Sequence, residues 1–155
     1  MTPVVRVARR EDAPQLKALR LEAGWGADEV SAWFEAVARG ERAMWVVEVA
    51  QEVVAMVALD FLDEDPDVAD GRTTAAVTSL AVTAAAGRRG LGRSLTVYAE
   101  AQAQARGIQV LTLNTRPSNA AALALYRGLG YHPFKQATRS WGDAVFLRKT
   151  LEGAP

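Results

Sequence analysis

Val82 to Leu95 reads VTAAAGRRGLGRSL, and the fold of the whole chain turns on this stretch. Before it, Val77 to Val82 has the apolar composition of a strand. After it, Leu91, Leu95, Tyr98 and Gln102 fall on one face of a helix that Gly107 stops. Between them Gly87 to Gly92 is a turn. A strand, a glycine turn and a helix in succession gather the unpaired N–H groups and partial positive charge of a helix start at a strand end. Gly90 and Gly92 let a ligand approach the backbone closely, and Arg88, Arg89 and Arg93 add charges that pair with phosphate oxygens. The ligand of such a turn carries at least a diphosphate. A P-loop would end in Gly-Lys-Ser or Gly-Lys-Thr, and a dinucleotide fingerprint would need a glycine where Leu95 stands.

On the N-terminal side, Val4 to Ala8 reads as a strand. Asp12 is positioned as an N-cap with Gln15 three residues on, ahead of a stripe at Leu16, Leu19 and Ala23. Gly24 and Gly26 break that helix, and Val30, Trp33, Phe34 and Val37 mark a second one that Gly40 ends. Met44 to Ala50 and Val53 to Leu59 read as an antiparallel hairpin. Asp60 to Asp70 holds six carboxylates and no base, which predicts an exposed acidic loop. On the C-terminal side, Ile108 to Leu113 is a strand. Pro117-Ser118-Asn119 opens a helix with Ala122, Leu125, Tyr126 and Leu129 on one face, and two strands flank Ser140 to Asp143. The order β-α-α-β-β-β-α-β-α-β-β predicts an α/β fold, a mixed sheet with helices on both faces, as a single domain over residues 1–155.

Half of the 155 residues are apolar, enough for one sizeable core. Eighteen basic and eighteen acidic residues cancel, which argues against a nucleic-acid partner. With no cysteine there is no thiol nucleophile or thiolate metal site, and one histidine makes a histidine-rich metal cluster unexpected. No apolar run approaches a membrane span and Met1 to Arg10 lacks a signal core, so the expectation is a soluble, cytoplasmic protein with no membrane partner.

Val82 to Leu95, taken with Asn114 to Tyr131 (NTRPSNAAALALYRGLGY), resembles the GCN5-related N-acetyltransferase family. The resemblance implies a GNAT-like fold in which two neighbouring parallel strands, Val77 to Val82 and Ile108 to Leu113, splay apart to admit the pantetheine arm of coenzyme A. It implies acetyl-CoA as co-substrate, with no metal. The backbone at Leu80, Ala81 and Val82 would bond the arm, and N–H groups of Arg88, Arg89, Gly90, Leu91, Gly92, Arg93 and Ser94 would hold the pyrophosphate. Asn119 would hydrogen-bond the cofactor, and Tyr126 would stand beside its sulfur. Where the family usually carries glutamine or arginine, three residues before the first turn glycine, this chain has Gly87, with Arg88 next.

Acetyl transfer needs a neutral amine, and a lysine-like pKa of about 10.4 makes deprotonation cost roughly 4 to 5 kcal/mol at pH 7. Tyr126 is the candidate proton donor to the departing thiolate. The strand Val77 to Val82 carries no glutamate, so Asp60 is the candidate base, with Asp63 and Glu64 behind it, while Thr78 and Ser79 can only hold a water. Were the acidic loop to border the acceptor site, it would favour a cationic acceptor such as a polyamine, a lysine side chain or an aminoglycoside. Trp25, between two glycines, is the better pocket candidate than Trp33, which shares a core face with Val30 and Val37; Trp141 lies in the late turn, and His132 reads as a loop histidine without a role. The leading expectation is direct transfer to a primary amine in a ternary complex. The alternatives are a catalytically idle acyl-CoA sensor of the same fold and a nucleic-acid-binding domain using Arg88 to Arg93. A homodimer is among the assemblies the sequence allows.

Overall fold

The computed structural model describes residues 2–24, 29–87 and 90–151. Seven strands form one sheet in the order β1-β2-β3-β4-β5-β7-β6, where β1 is Val4–Val7, β2 Arg42–Val49, β3 Glu52–Asp60, β4 Thr74–Val82, β5 Val110–Thr115, β6 His132–Arg139 and β7 Gly142–Thr150. Among the described residues four α-helices are interposed, α1 (Ala13–Glu22), α2 (Val30–Ala38), α3 (Leu91–Ala105) and α4 (Ala120–Gly128). The element order and the mixed sheet are those the sequence predicts.

Alternation along the strands feeds two cores. On one face Leu16 and Leu19 of α1 and Val30, Trp33 and Phe34 of α2 pack on Met44, Val46, Met56 and Ala58. On the other, Leu95, Ala99 and Ala103 of α3 pack on Trp45, Val57, Ala75 and Leu111, and the apolar side of α4 joins through Leu123, Tyr126 and Leu129. Truncating a fully buried side chain such as Leu95 or Leu111 costs about 2–5 kcal/mol.

The β2–β3 hairpin turns at Ala50 and Gln51, both at positive φ (52° and 68°), the combination of a type I′ turn that matches the strand twist. Neither is glycine or asparagine, so the turn carries a local cost of about 1–2 kcal/mol per residue.

Two local expectations are corrected. Asp12 stands at the N-cap position of α1 but does not cap it; its carboxylate accepts two bonds of 2.8 Å from Arg6 and one of 2.7 Å from the Arg9 N–H. Gln15 does not close a capping box either, since its Oε1 accepts the Val53 N–H at 2.8 Å. The acidic loop is likewise not merely solvated. Lys135 on β6 pairs with Asp65 and Asp67 (2.7 and 2.9 Å), and Arg139 pairs with Asp63 and Glu64 (3.0 and 2.9 Å). These bonds hold the loop down while Val68 and Ala69 are buried against Ala76, Ala144 and Phe146, and Thr112 donates to the Val68 carbonyl at 2.7 Å.

Candidate active site

The site begins where β4 and β5 part. They are the sheet's parallel neighbours, and their register comprises Thr74↔Val110, Ala75↔Leu111 and Ala76↔Thr112. Beyond Ala76 each strand follows its outer partner. β5 stays with β7 through Leu113↔Leu147, Asn114↔Phe146 and Thr115↔Val145, and β4 stays with β3 through Met56↔Ala81 and Ala55↔Val82. A bulge helps to turn β4 away: Ala58 pairs with Thr78 but Met56 with Ala81, so Ser79 and Leu80 stand opposite Val57 alone, with Ser79 at φ 52°. The Thr83 N–H donates to Val54 at 2.9 Å, so by the alternation of an antiparallel ladder Val82 presents its polar backbone groups to the parted side.

α3 begins at one end of this parting. Gly90 precedes it at φ 71°, a left-handed conformation that favours glycine, and no side chain caps the helix among the described residues. The Ser94 hydroxyl turns back to the Gly90 carbonyl at 3.0 Å rather than serving a first-turn N–H. Gly92 differs from Gly90, because its φ is ordinary and a Cβ there would meet nothing within 4 Å. Neither backbone conformation nor packing requires a glycine there. Arg93 is exposed and forms no ion pair among the described residues. Arg88, Arg89 and Trp25 lie outside the described residues. The open helix start, the bare Gly92 and the exposed Arg93 fit a diphosphate.

Tyr126 packs against the core cluster that Leu80, Val82 and Leu91 also join, and meets Tyr131 edge-on with ring centroids 6.3 Å apart. Burial raises its pKa, which keeps the phenol protonated. No hydrogen bond occupies its hydroxyl among the described residues. Tyr131, fully buried, donates instead to Glu100 at 2.8 Å, and Lys149 holds the same carboxylate at 3.0 Å. Asn119 caps α4 by accepting the Ala122 N–H on Oδ1 at 3.1 Å, which leaves its amide NH2 to donate.

Asp60 closes β3 beside β4, but its oxygens are engaged. Oδ1 accepts from Arg42 at 2.7 Å and Oδ2 from the Thr78 hydroxyl at 2.9 Å. These bonds leave each oxygen further acceptor capacity, but taking a proton would remove the charge that pairs with Arg42. Asp63 and Glu64 are similarly held by Arg139. The residue that sequence reasoning missed is Arg42, 7 % exposed, which also donates to Thr78 (3.1 Å) and Ser79 (2.8 Å) and lies 4.8 Å from the Trp33 ring. Arg20 lies over the same ring at 4.9 Å. Trp33 is thus a buried residue beside two guanidinium groups, Trp141 is 44 % exposed, and His132 is exposed at the start of β6.

A cavity of about 300 Å³ bordered by Val7, Arg42, Trp45, Phe61 and Arg106 opens where β2 begins and β3 ends. Arg42, which bonds Thr78 and Ser79, borders it, but no residue of β4, β5 or the first turn of α3 does.

A family model for the acetyltransferase (GNAT) family matches residues 9–131. Over 45 residues the chain is 49 % identical to a [ribosomal protein bS18]-alanine N-acetyltransferase of Salmonella typhimurium; the match spans only 29 % of this chain and 30 % of that relative. Among solved structures, an N-acetyltransferase from Staphylococcus aureus Mu50 superposes with a TM-score of 0.82 at 20 % identity, covering 98 % of this chain and 100 % of that one. A putative acetyltransferase from Salmonella typhimurium, with its cofactor acetyl-CoA, superposes with a TM-score of 0.81 at 20 % identity over 100 % and 97 % of the two chains. The parted parallel strands, the helix start beside them and the family match over most of the sequence agree, and the chain belongs to the acetyltransferase (GNAT) family.

Proposed function

We propose that this protein is an N-acetyltransferase that moves an acetyl group from acetyl-CoA to a primary amine by direct attack in a ternary complex. The observation that carries the reading is the parting of β4 and β5 beyond Ala76, with the uncapped start of α3 beside it. Bound acetyl-CoA would supply an activated thioester. The N–H groups from Gly90 to Ser94, with Arg88, Arg89 and Arg93, would hold its pyrophosphate. Backbone groups of Leu80, Ala81 and Val82 would hold the arm, and the Asn119 amide would donate to it. A β4 N–H would steady the charge that develops on the acyl oxygen. Tyr126, kept protonated by burial, would donate to the departing sulfur.

The acceptor class follows from the cost of deprotonation. Asp60, Asp63 and Glu64 each bond an arginine, and Asp65 and Asp67 bond Lys135. Three cations answer these five carboxylates, so the loop keeps a net negative charge, while Asp60 and Asp63 are each held by an arginine and a second donor. We favour an α-amine over a lysine side chain. An α-amine, with a pKa near 7.7–8.0, loses its proton at a cost of about 1 kcal/mol at pH 7, against roughly 4 to 5 kcal/mol for a lysine. The relative named for modifying a ribosomal-protein alanine agrees with a peptide α-amine.

Purified protein, acetyl-CoA and a panel of peptides, free lysine derivatives and polyamines, read by free-thiol release and by mass of the product, test the whole reading. N-terminal acetylation whose kcat/KM for the acceptor rises with pH to a plateau near 8 supports it. Thermal stabilisation by acetyl-CoA without thiol release would favour the idle sensor, and preference for polyamines would overturn the acceptor assignment.

A further inference from the structure

The β4 bulge is held from beneath by one side chain. Arg42 opens β2 two strands away, yet its guanidinium reaches Ser79, a residue of the bulge, at 2.8 Å and Thr78, the residue before it, at 3.1 Å. Asp60 closes the circuit by accepting from both Arg42 and Thr78. Trp33 covers the group at 4.8 Å, and Arg42 is 7 % exposed, so the guanidinium is shielded from water while Asp60, Thr78 and Ser79 are partly exposed. Ser79 adopts a left-handed conformation that a serine does not favour, which means that something outside its own backbone must hold it there. The Arg42–Ser79 bond does so.

We propose that Arg42 is a positioning residue for acyl transfer: through Asp60, Thr78 and Ser79 it fixes the irregular segment of β4 and thereby aims the backbone groups of Leu80 to Val82 into the β4–β5 opening. The inference rests on reading that opening as the site of transfer. It reassigns Asp60 from proton acceptor to partner of Arg42. Because the bulge decides where β4 leaves its parallel neighbour, loosening it misplaces the acyl oxygen relative to its donor, and a misplacement of this kind lowers the rate about tenfold to a hundredfold.

The test compares Arg42→Met, Arg42→Lys and Ser79→Ala with Arg6→Met. Arg6 is a matched control, since it too clamps carboxylates (Asp12 at 2.8 Å and Glu48 at 3.3 Å) with a buried, unpartnered Nε, but at β1, away from the opening. Two readouts are taken on each folded variant: amide hydrogen exchange of residues 78–82, which needs no activity, and the separate kcat and KM values for acetyl-CoA. The expected result is faster exchange at 78–82 and a kcat about tenfold or more lower in Arg42→Met and Ser79→Ala, a smaller loss in Arg42→Lys, and neither change in Arg6→Met although it too is less stable. Unchanged exchange and kcat in folded Arg42→Met or Ser79→Ala overturns the proposal, as does an equal loss of kcat in Arg6→Met. Should Arg42→Met not fold, Ser79→Ala, which removes only one hydroxyl, decides. If the native enzyme transfers no acetyl group while exchange at 78–82 still rises in the variants, the transfer reading fails and the clamp on β4 stands.

Discussion

Gly92→Ala is a perturbation whose two effects have opposite signs. Gly92 is the second residue of α3, its φ lies outside the range that favours glycine, and an added Cβ has open space for 4 Å around it. In the protein alone the substitution removes the entropic penalty of a helical glycine and stabilises by about 0.5–1 kcal/mol. For a domain of this length that raises Tm by roughly 1–4 °C. If the pyrophosphate of acetyl-CoA is held by the first-turn N–H groups, however, the new methyl stands where the phosphate oxygens must come. Loss of one charge-assisted hydrogen bond, about 1.5–3 kcal/mol, weakens binding by about one to two orders of magnitude. Calorimetric unfolding and titration with coenzyme A measure both on one preparation. A raised Tm with unchanged affinity would refute the cradle, because the helix start would then be open without being used. A lowered Tm would show that the space around Gly92 is not free. Gly90 cannot make this distinction, since its φ of 71° makes any side chain there costly whether or not a ligand binds.

Tyr126→Phe should lower kcat about a hundredfold or more while leaving acetyl-CoA affinity nearly unchanged, as steady-state and binding measurements together would show; because burial raises the native pKa, no loss from phenolate formation should appear until above the ordinary tyrosine value of about 10. Replacing Ala50-Gln51 by Asn-Gly relieves two left-handed residues and should stabilise by about 1–2 kcal/mol in denaturant titrations, with activity unaltered. Asp12, whose pKa is lowered chiefly by its bonds to Arg6, contributes stability that is present above its unfolded value of about 3.9 and is lost as pH falls from there toward the folded value; Asp12→Asn should cost stability at pH 7 and flatten that acid limb in urea titrations at stepped pH.

The parts of the fold legible in the sequence are those whose signals are local. Strand, glycine turn and helix follow one another between Val77 and Gly107, and the LGY end of α4 and the β6–β7 turn are equally self-contained. What was not legible depends on partners far along the chain. Asp12 has the spacing of a cap, yet Arg6 across the β1 turn outcompetes the helix for it. Asp63 and its partner Arg139 lie on separate elements, so a run of carboxylates looks solvated until β6 is laid beside it. Arg42 shows the limit most clearly. Continuing the register of Val49↔Glu52 and Glu48↔Val53 along the hairpin would set Glu41 across from Asp60. The irregularity after Val47 shifts the pairing by one residue and brings Arg42 there instead. A single extra residue in β3 therefore decides whether the end of the hairpin holds a repulsive pair of carboxylates or an ion pair, and pattern alone does not reveal it.

That shift bears on the chemistry as well as the fold. An arginine buried at the foot of β4 would be costly alone, since removing the partner of a buried ion leaves a penalty of about 3–5 kcal/mol. Asp60 offsets it, and the two Nη groups also donate to Thr78 and Ser79, while the buried Nε has no partner among the described residues. On the proposed role, Asp60 holds β4 and is not at the same time a free base. An enzyme built in that way would suit acceptors that shed their proton easily, which links the Arg42–Asp60 pair to the proposed α-amine. Asp60→Asn separates the two roles. If Asp60 only holds Arg42, the variant loses rate at every pH without moving the inflection near 8; if Asp60 takes the proton, the pH dependence itself changes shape.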